Sequence, residues 1–239
     1  MRLWNPLVRS TLAQASRELP ADPEAAGRAG RRELLAIVCS GDGGWAQIDR
    51  QLSAAFVAEG IAVVGISTLR YFWHARAPQA AALELDALLT RYCRRWRRRR
   101  VWLVGFSFGA DVLPTLVAGL SPATRARVVQ LVLLSPSPRI TFEIRLENYV
   151  TGAGRLARAV HAVLGWLRHV PHHDPLARVA ALGGRPPVVC YHGTRDRTLC
   201  STQVLPAWVE IHALHGGHHL GRDYMALARR LLDGVPATA

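Results

Sequence analysis

Gly105-Phe106-Ser107-Phe108-Gly109 lies between the apolar run Val101-Trp102-Leu103-Val104 and Ala110-Asp111-Val112-Leu113. The first run reads as a buried strand and the second as the start of a helix. A serine between glycines at such a junction has the form of a nucleophile elbow, a tight strand-to-helix turn with an exposed hydroxyl. Side chains larger than hydrogen are excluded close to that turn, hence the flanking glycines. As a bare pattern the pentapeptide is weak, because glycine and serine are common. Its position between strand and helix makes Ser107 the candidate nucleophile.

Outward from the elbow, apolar runs recur with helical segments between them. Strands are expected over Leu34 to Cys39, Ile61 to Ile66, Val101 to Val104, Val128 to Leu134, Pro187 to Tyr191 and Trp208 to Leu214. Continuous apolar strands imply a sheet covered on both faces, hence mostly parallel. From Ala81 to Trp96, Leu85, Leu88, Leu89, Tyr92 and Trp96 fall on one helical stripe. Gln47 to Glu59 is a second helix, closed by Gly60, and Arg222 to Leu232 is the last. This alternation predicts an α/β doubly wound, mostly parallel sheet. Thr141 to Ala181 breaks the rhythm and reads as a small helical cap insertion. Residues 1–32 read as a partly disordered lead-in to one domain over 33–239.

A nucleophilic serine needs a base, and the base an orienting acid. In α/β-hydrolases both follow the serine in sequence. The fifth strand runs into His192-Gly193-Thr194-Arg195-Asp196-Arg197, which offers Asp196 as the acid. Asp174 is its competitor, and a plain turn aspartate is the other reading of Asp196. The sixth strand runs into His215-Gly216-Gly217-His218-His219. There His218 best follows the glycines, with His219 as the alternative base; His215 precedes them. His172 and His173 read as cap-loop residues. Loops at the carboxyl ends of parallel strands converge on one crevice. The oxyanion hole needs two backbone N–H groups. Phe108 offers one. The loop Ser40-Gly41-Asp42-Gly43-Gly44-Trp45 offers the other, at Asp42 or next at Gly43. No Walker lysine follows that loop, which disfavours a phosphate cradle. A carboxylate at Asp42 beside a developing oxyanion would repel it, and Asp111 raises the same question. A substrate with an ammonium group near the scissile ester answers both; structural pairing of the two carboxylates is the alternative.

The chain has 239 residues, half of them apolar, and a net charge of +13 carried entirely by arginine. No run approaches the ~18 apolar residues of a membrane-spanning helix, and Met1 to Arg32 shows no apolar stretch of a secretory signal. Arg94-Arg95-Trp96-Arg97-Arg98-Arg99-Arg100 is the densest basic patch, either a solvated helix end or a membrane-surface patch. No nucleic-acid motif accompanies it. The four cysteines form no C-x-x-C pair, and no histidine–carboxylate spacing resembles a metal site. Cys190 and Cys200 flank a loop and can pair in an oxidising compartment.

Ser40-Gly41-Asp42-Gly43-Gly44-Trp45, Leu69-Arg70-Tyr71-Phe72-Trp73, Gly105 to Asp111 and Gly216-Gly217-His218-His219 together resemble the VirJ/AcvB family of bacterial virulence-associated proteins, over Leu34 to Leu232. The resemblance implies an α/β-hydrolase fold with Ser107 as nucleophile, Asp196 as acid and His218 as base. It implies hydrolysis of aminoacylated phosphatidylglycerol, notably lysyl-phosphatidylglycerol, at the periplasmic face of the inner membrane, without metal or organic cofactor. Some members are linked to type IV secretion. In this setting Gly43, Trp45, Arg70, Tyr71 and Asp111 are candidate substrate-binding residues, with Arg70 a donor to the lipid phosphate; core packing is the other reading of the aromatic residues between Leu69 and Trp73. The same triad would serve a general carboxylesterase, thioesterase or peptidase. A non-catalytic secretion-associated binding protein is a third reading. A cytoplasmic location stays open beside the periplasmic one.

Overall fold

In the computed structural model the described residues are 10–22, 30–137 and 175–236. Seven strands form one sheet: β1 (Ser16–Leu19), β2 (Leu34–Cys39), β3 (Ala62–Ile66), β4 (Arg100–Phe106), β5 (Val128–Leu134), β6 (Val188–Gly193) and β7 (Val209–Leu214). Their spatial order is β1-β3-β2-β4-β5-β6-β7. All neighbours pair in parallel except β1 with β3. The chain thus moves outward from β2 to β3, then returns to the other side of β2 for β4. Such a reversal opens a crevice at the carboxyl ends of the two adjacent strands. The expected doubly wound α/β sheet is the observed one.

Every residue of β2 and β3 is buried, as expected of strands covered on both faces. One core contains Leu35, Ile37, Leu103 and Leu131, with Leu85, Leu89 and Leu116 from the helices Pro78–Arg95 and Phe108–Ala118. The other contains Val38, Trp102 and Val104 under Ile48, Leu52 and Phe56 of helix Gln47–Ala58 and Leu227 and Leu231 of helix Tyr224–Gly234. The stripe Leu85, Leu88, Leu89 and Tyr92 is buried as its spacing requires, while Trp96 caps the helix end with its ring 4.9 Å from that of Tyr92.

Part of the lead-in belongs to the fold. Leu12–Ala15 forms a helical turn closed by a Thr11–Gln14 capping box, and β1 then pairs with β3 from Ser16 opposite Ile66 to Leu19 opposite Val63. This strand is short and its middle residues are charged and exposed. Edge strands tolerate such a sequence, which carries no hydrophobic period to betray it. Arg17 lies over the Trp45 ring at 4.6 Å, and Glu18 accepts from Tyr92 Oη and Arg95, so both charges are used. The expected cap falls mostly on residues 138–174, outside the described residues, as do His172, His173 and Asp174. Its final stretch, the helix Pro175–Ala180, instead buries Val179 in the main core.

Asp49 makes the fold pH-sensitive. It is fully buried, its Oδ2 accepts the Ala46 N–H at 2.8 Å, and its Oδ1 has no partner. Burial pushes its pKa up to about 6, against the opposing pull of the helix-end N–H groups, Arg17 and Arg50. A folded-state pKa above the unfolded one means that the native protein holds this proton more tightly. The resulting stability is complete below the unfolded value and is lost as pH rises through about 6. Asp49→Asn mimics the protonated form. Its urea midpoint should match wild type near pH 4 and exceed it at pH 8, by about 3 kcal/mol in stability. Equal midpoints at both pH values would contradict this assignment.

Candidate active site

The elbow is built as its sequence demands. Ser107 has φ +51° and ψ −120°, a left-sided conformation that costs a residue with a Cβ on the order of 1–3 kcal/mol. The Ser107 N–H donates to Leu134 O at 2.8 Å, and the Ser107 carbonyl accepts from Asp111 N at 3.0 Å. A Cβ on Gly105 would lie 2.6 Å from Ala110 N and Gly109 O. A Cβ on Gly109 would lie 2.6 Å from the Ser40 carbonyl oxygen and still nearer that of Cys39. Both glycines are therefore required by close backbone approach.

The acid loop leaves β6 and the histidine loop leaves β7, the next strand. His218 Nε2 is 2.9 Å from Ser107 Oγ, and His218 Nδ1 is 2.9 Å from Asp196 Oδ2. With its proton on Nδ1 donated to the carboxylate, the ring leaves Nε2 to accept from the serine hydroxyl. His219 takes no part in this relay. Its Nδ1 lies 3.3 Å from Tyr224 Oη, its ring packs at 5.6 Å from Phe106, and burial lowers its pKa, helped by His218 and Arg222. The loops meet closely. Arg195 N donates to Gly216 O at 2.9 Å, and a Cβ on Gly193 would lie 2.6 Å from that same oxygen. Ser201 Oγ donates to Asp196 O at 3.0 Å. Cys190 and Cys200 are joined in a disulfide, so a covalent ring encloses the loop that carries Asp196.

The loop after β2 supplies the facing wall. Gly41 abuts the elbow: a Cβ there would lie 3.4 Å from Ser107 Cβ. Gly44 N donates to Gly41 O at 3.0 Å, with φ +78° at Gly44, so Asp42 and Gly43 form the tip of a tight turn. Thr68 Oγ1 lies 2.8 Å from Ser40 O and 2.7 Å from Gly41 O and fixes the turn from beneath. The sequence reading missed Ser40 and Thr68 as this turn's support. Their only signal was a buried hydroxyl at the end of each of two adjacent strands. Phe108 opens its helix, where the N–H has no intrahelical partner. It therefore stands beside the nucleophile as an available donor.

Among the proposed binding residues the outcome divides. Asp111 is buried, accepts the Ser137 N–H at 2.6 Å, and has its pKa raised well above the carboxylate range by burial, with Asp42 adding to the rise. The two carboxylates thus feel each other beside the elbow. Arg70 has its Nε 3.4 Å from Ser10 Oγ. Tyr71 is fully buried, its hydroxyl donating to Glu84 at 3.0 Å, with Arg76 over its ring at 4.4 Å. Phe72 stacks edge-on against Phe108 at 5.4 Å. Trp45 packs its ring against Gly65, where any Cβ would strike it. Tyr71 and Trp45 are packing residues here, because an aromatic ring after a strand finds more surface to bury beneath the loop than above it.

The arginine run is at the wrong end for presenting a membrane to Ser107. Arg97 to Arg100 lead into β4, and Arg31 and Arg32 lead into β2, whereas Ser107 follows the carboxyl end of β4. Seven residues of strand separate them, about 20 Å at ~3.3 Å per residue. Among the described residues no helix is long and apolar enough to cross a membrane, and no group of three His, Cys, Asp or Glu could hold a metal ion.

A mostly parallel sheet with a strained serine after its central strand β4, an aspartate from the loop after β6 and a histidine from the loop after β7 defines the α/β-hydrolase fold. The same fold is found in solved structures. An α/β serine hydrolase without lid from Xanthomonas campestris is 17% identical, with a TM-score of 0.56 over 94% of this chain and 90% of that one. An esterase from Pyrococcus furiosus is 14% identical, with a TM-score of 0.56 over 91% and 87%. An α/β serine hydrolase homologue from Coxiella burnetii is 15% identical, with a TM-score of 0.56 over 92% and 97%. No curated protein matched the chain. Within this class the chain belongs to the VirJ family: the family model described as bacterial virulence protein (VirJ) matches residues 33–239.

Proposed function

We propose that the protein is a serine hydrolase that cleaves the aminoacyl ester of aminoacylated phosphatidylglycerol. The observation that carries the hydrolase reading is the continuous Ser107–His218–Asp196 relay, with both hydrogen bonds at 2.9 Å, on a strained elbow. Ser107 Oγ attacks the ester carbonyl while His218 Nε2 takes its proton. Asp196 orients the ring and stabilises the imidazolium. The Asp42 and Phe108 N–H groups face the oxyanion, each such donor contributing roughly 3 kcal/mol in the transition state. His218 then returns the proton to the departing phosphatidylglycerol oxygen, and water releases the amino acid by the reverse sequence.

The aminoacyl reading is supported by Asp42 and Asp111. Without a ligand, Asp111 is held toward its neutral form by burial and by Asp42. An ammonium group seated beside the pair favours both ionised carboxylates and offsets their repulsion. Membrane lipid approaches from the loop end of the sheet, where Ser107 lies, with the arginine run turned away. The Cys190–Cys200 disulfide supports an oxidising compartment, consistent with the periplasm.

The test is lysine release from lysyl-phosphatidylglycerol in anionic vesicles, comparing wild type with Ser107→Ala, Asp42→Asn and Asp111→Asn. Release should vanish with Ser107→Ala. Each asparagine variant should lose roughly 10- to 100-fold on the aminoacyl lipid, the worth of a hydrogen bond to a charged group, and much less on a neutral ester. Equal losses on both substrates would remove the ammonium reading. Absence of lysine release by an enzyme whose Ser107 still reacts with a fluorophosphonate would keep the hydrolase and exclude this lipid.

A further inference from the structure

We propose that Ser135 is a positioning residue for the base, acting through the His218 backbone; this rests on the hydrolase reading above. Ser135 follows β5 directly, is fully buried, and adopts φ +49°, an unfavourable value for a residue with a Cβ. Its N–H donates to Tyr191 O at 2.8 Å, which locks it to β6. Its hydroxyl donates to the backbone carbonyl of His218 at 2.9 Å. The next two residues complete a junction. Pro136 O accepts from Leu199 N at 2.8 Å, just beyond the acid loop, and Ser137 N donates to Asp111 Oδ1 at 2.6 Å, on the elbow helix. Leu134 O, on the other side, holds the Ser107 N–H. Four consecutive residues at the end of β5 thus bond to all three loops of the relay.

Among these bonds the Ser135 hydroxyl has the most to hold. The histidine loop follows the edge strand β7 and begins with Gly216-Gly217, φ +124° at Gly216, the least restricted backbone of the three loops. The elbow is fixed inside the sheet and the acid loop by a disulfide. The histidine loop is tied to the acid loop at Gly216, through the Arg195 N–H, but His218 lies two residues further on and its ring must meet two partners at once. A strained serine that aims a buried donor at the His218 carbonyl supplies one.

Two variants separate positioning from stability. Both Ser135→Ala and Ser135→Gly remove the donor, but glycine also relieves the φ +49° strain and should melt higher than alanine. If the hydroxyl positions His218, both lose kcat to a similar extent, roughly 10²-fold, with KM little changed. Fluorophosphonate labelling of Ser107 slows in parallel, because it needs the same base. Activity that follows the melting temperature, with Ser135→Gly near wild type, would overturn the proposal. So would a loss confined to KM. Wild type that neither turns over esters nor labels at Ser107 would instead overturn the hydrolase reading, which this proposal requires.

Discussion

Ser107→Ala should lower kcat for ester hydrolysis by roughly 10⁶, and His218→Ala by a similar factor. The reason is that the two side chains perform a single act. Ser107 Oγ is a poor nucleophile until His218 Nε2, 2.9 Å away, accepts its proton, and that nitrogen has no other target once the serine is gone. The double variant should therefore be no slower than either single one. Asp196→Asn should cost less, roughly 10⁴, since the ring stays in place but loses the partner that selects its tautomer. In the proposed mechanism the activity left in all these variants comes from the backbone N–H groups of Asp42 and Phe108. Steady-state turnover of a chromogenic ester gives the comparison, and fluorophosphonate labelling gives an independent one. Labelling should be absent in Ser107→Ala and strongly slowed in His218→Ala. An additive double-variant loss would show that the two residues act separately, against the relay.

Much of this site could be read in the chain, for reasons that differ between its parts. β2 and β5 begin and end where their apolar runs do: β2 has no polar residue to blur it, and the one in β5, Gln130, is buried with its amide bonded to Trp102 Nε1. Ser107 was legible because its glycines answer to local backbone crowding. Asp196 and His218 were legible only through order and topology; the preceding glycines already favoured His218 over His219, and the fold, with Gly216 and Gly221 at positive φ, brings the His218 ring to both Ser107 and Asp196. β1 was illegible because four partly charged residues at an edge draw their order from β3 and Trp45, not from their own pattern. Tyr71, open between pocket and core, and Trp45, offered as a binding residue, could not be placed for the converse reason. Their positions after strands placed them near the site, but whether a ring turns upward or beneath a loop depends on a space that Gly65 provides and sequence spacing does not reveal. The arginine run was correctly placed at a helix end, yet its remoteness from Ser107 follows from the direction of β4 alone.

Gly109→Ala should be the most damaging small change in the site. Its Cβ would lie 2.6 Å from Ser40 O and closer still to Cys39 O, and both are backbone atoms that no rotamer change can move aside. Either the elbow helix retreats or the end of β2 does. Overpacking of this kind costs about 1–3 kcal/mol in stability, but the functional loss should be larger. Ser40 leads directly into Gly41, which touches Ser107, and then into Asp42. The two proposed oxyanion donors, Phe108 N–H on the helix and Asp42 N–H on the turn, belong to the two segments that the methyl group would drive apart. Widening their separation removes one of them from the tetrahedral intermediate, a loss of roughly 10²–10³ in kcat. Ser107, His218 and Asp196 remain chemically intact, so fluorophosphonate labelling should fall but persist. Gly43→Ala is the control on the same turn, because its Cβ meets nothing within 4 Å. It should leave stability near wild type, so a melting loss confined to Gly109→Ala reports the backbone clash. If both alanines proved equally harmless, the close approach of helix and turn would not be what holds the oxyanion donors, and the role of Asp42 in the site would have to be withdrawn.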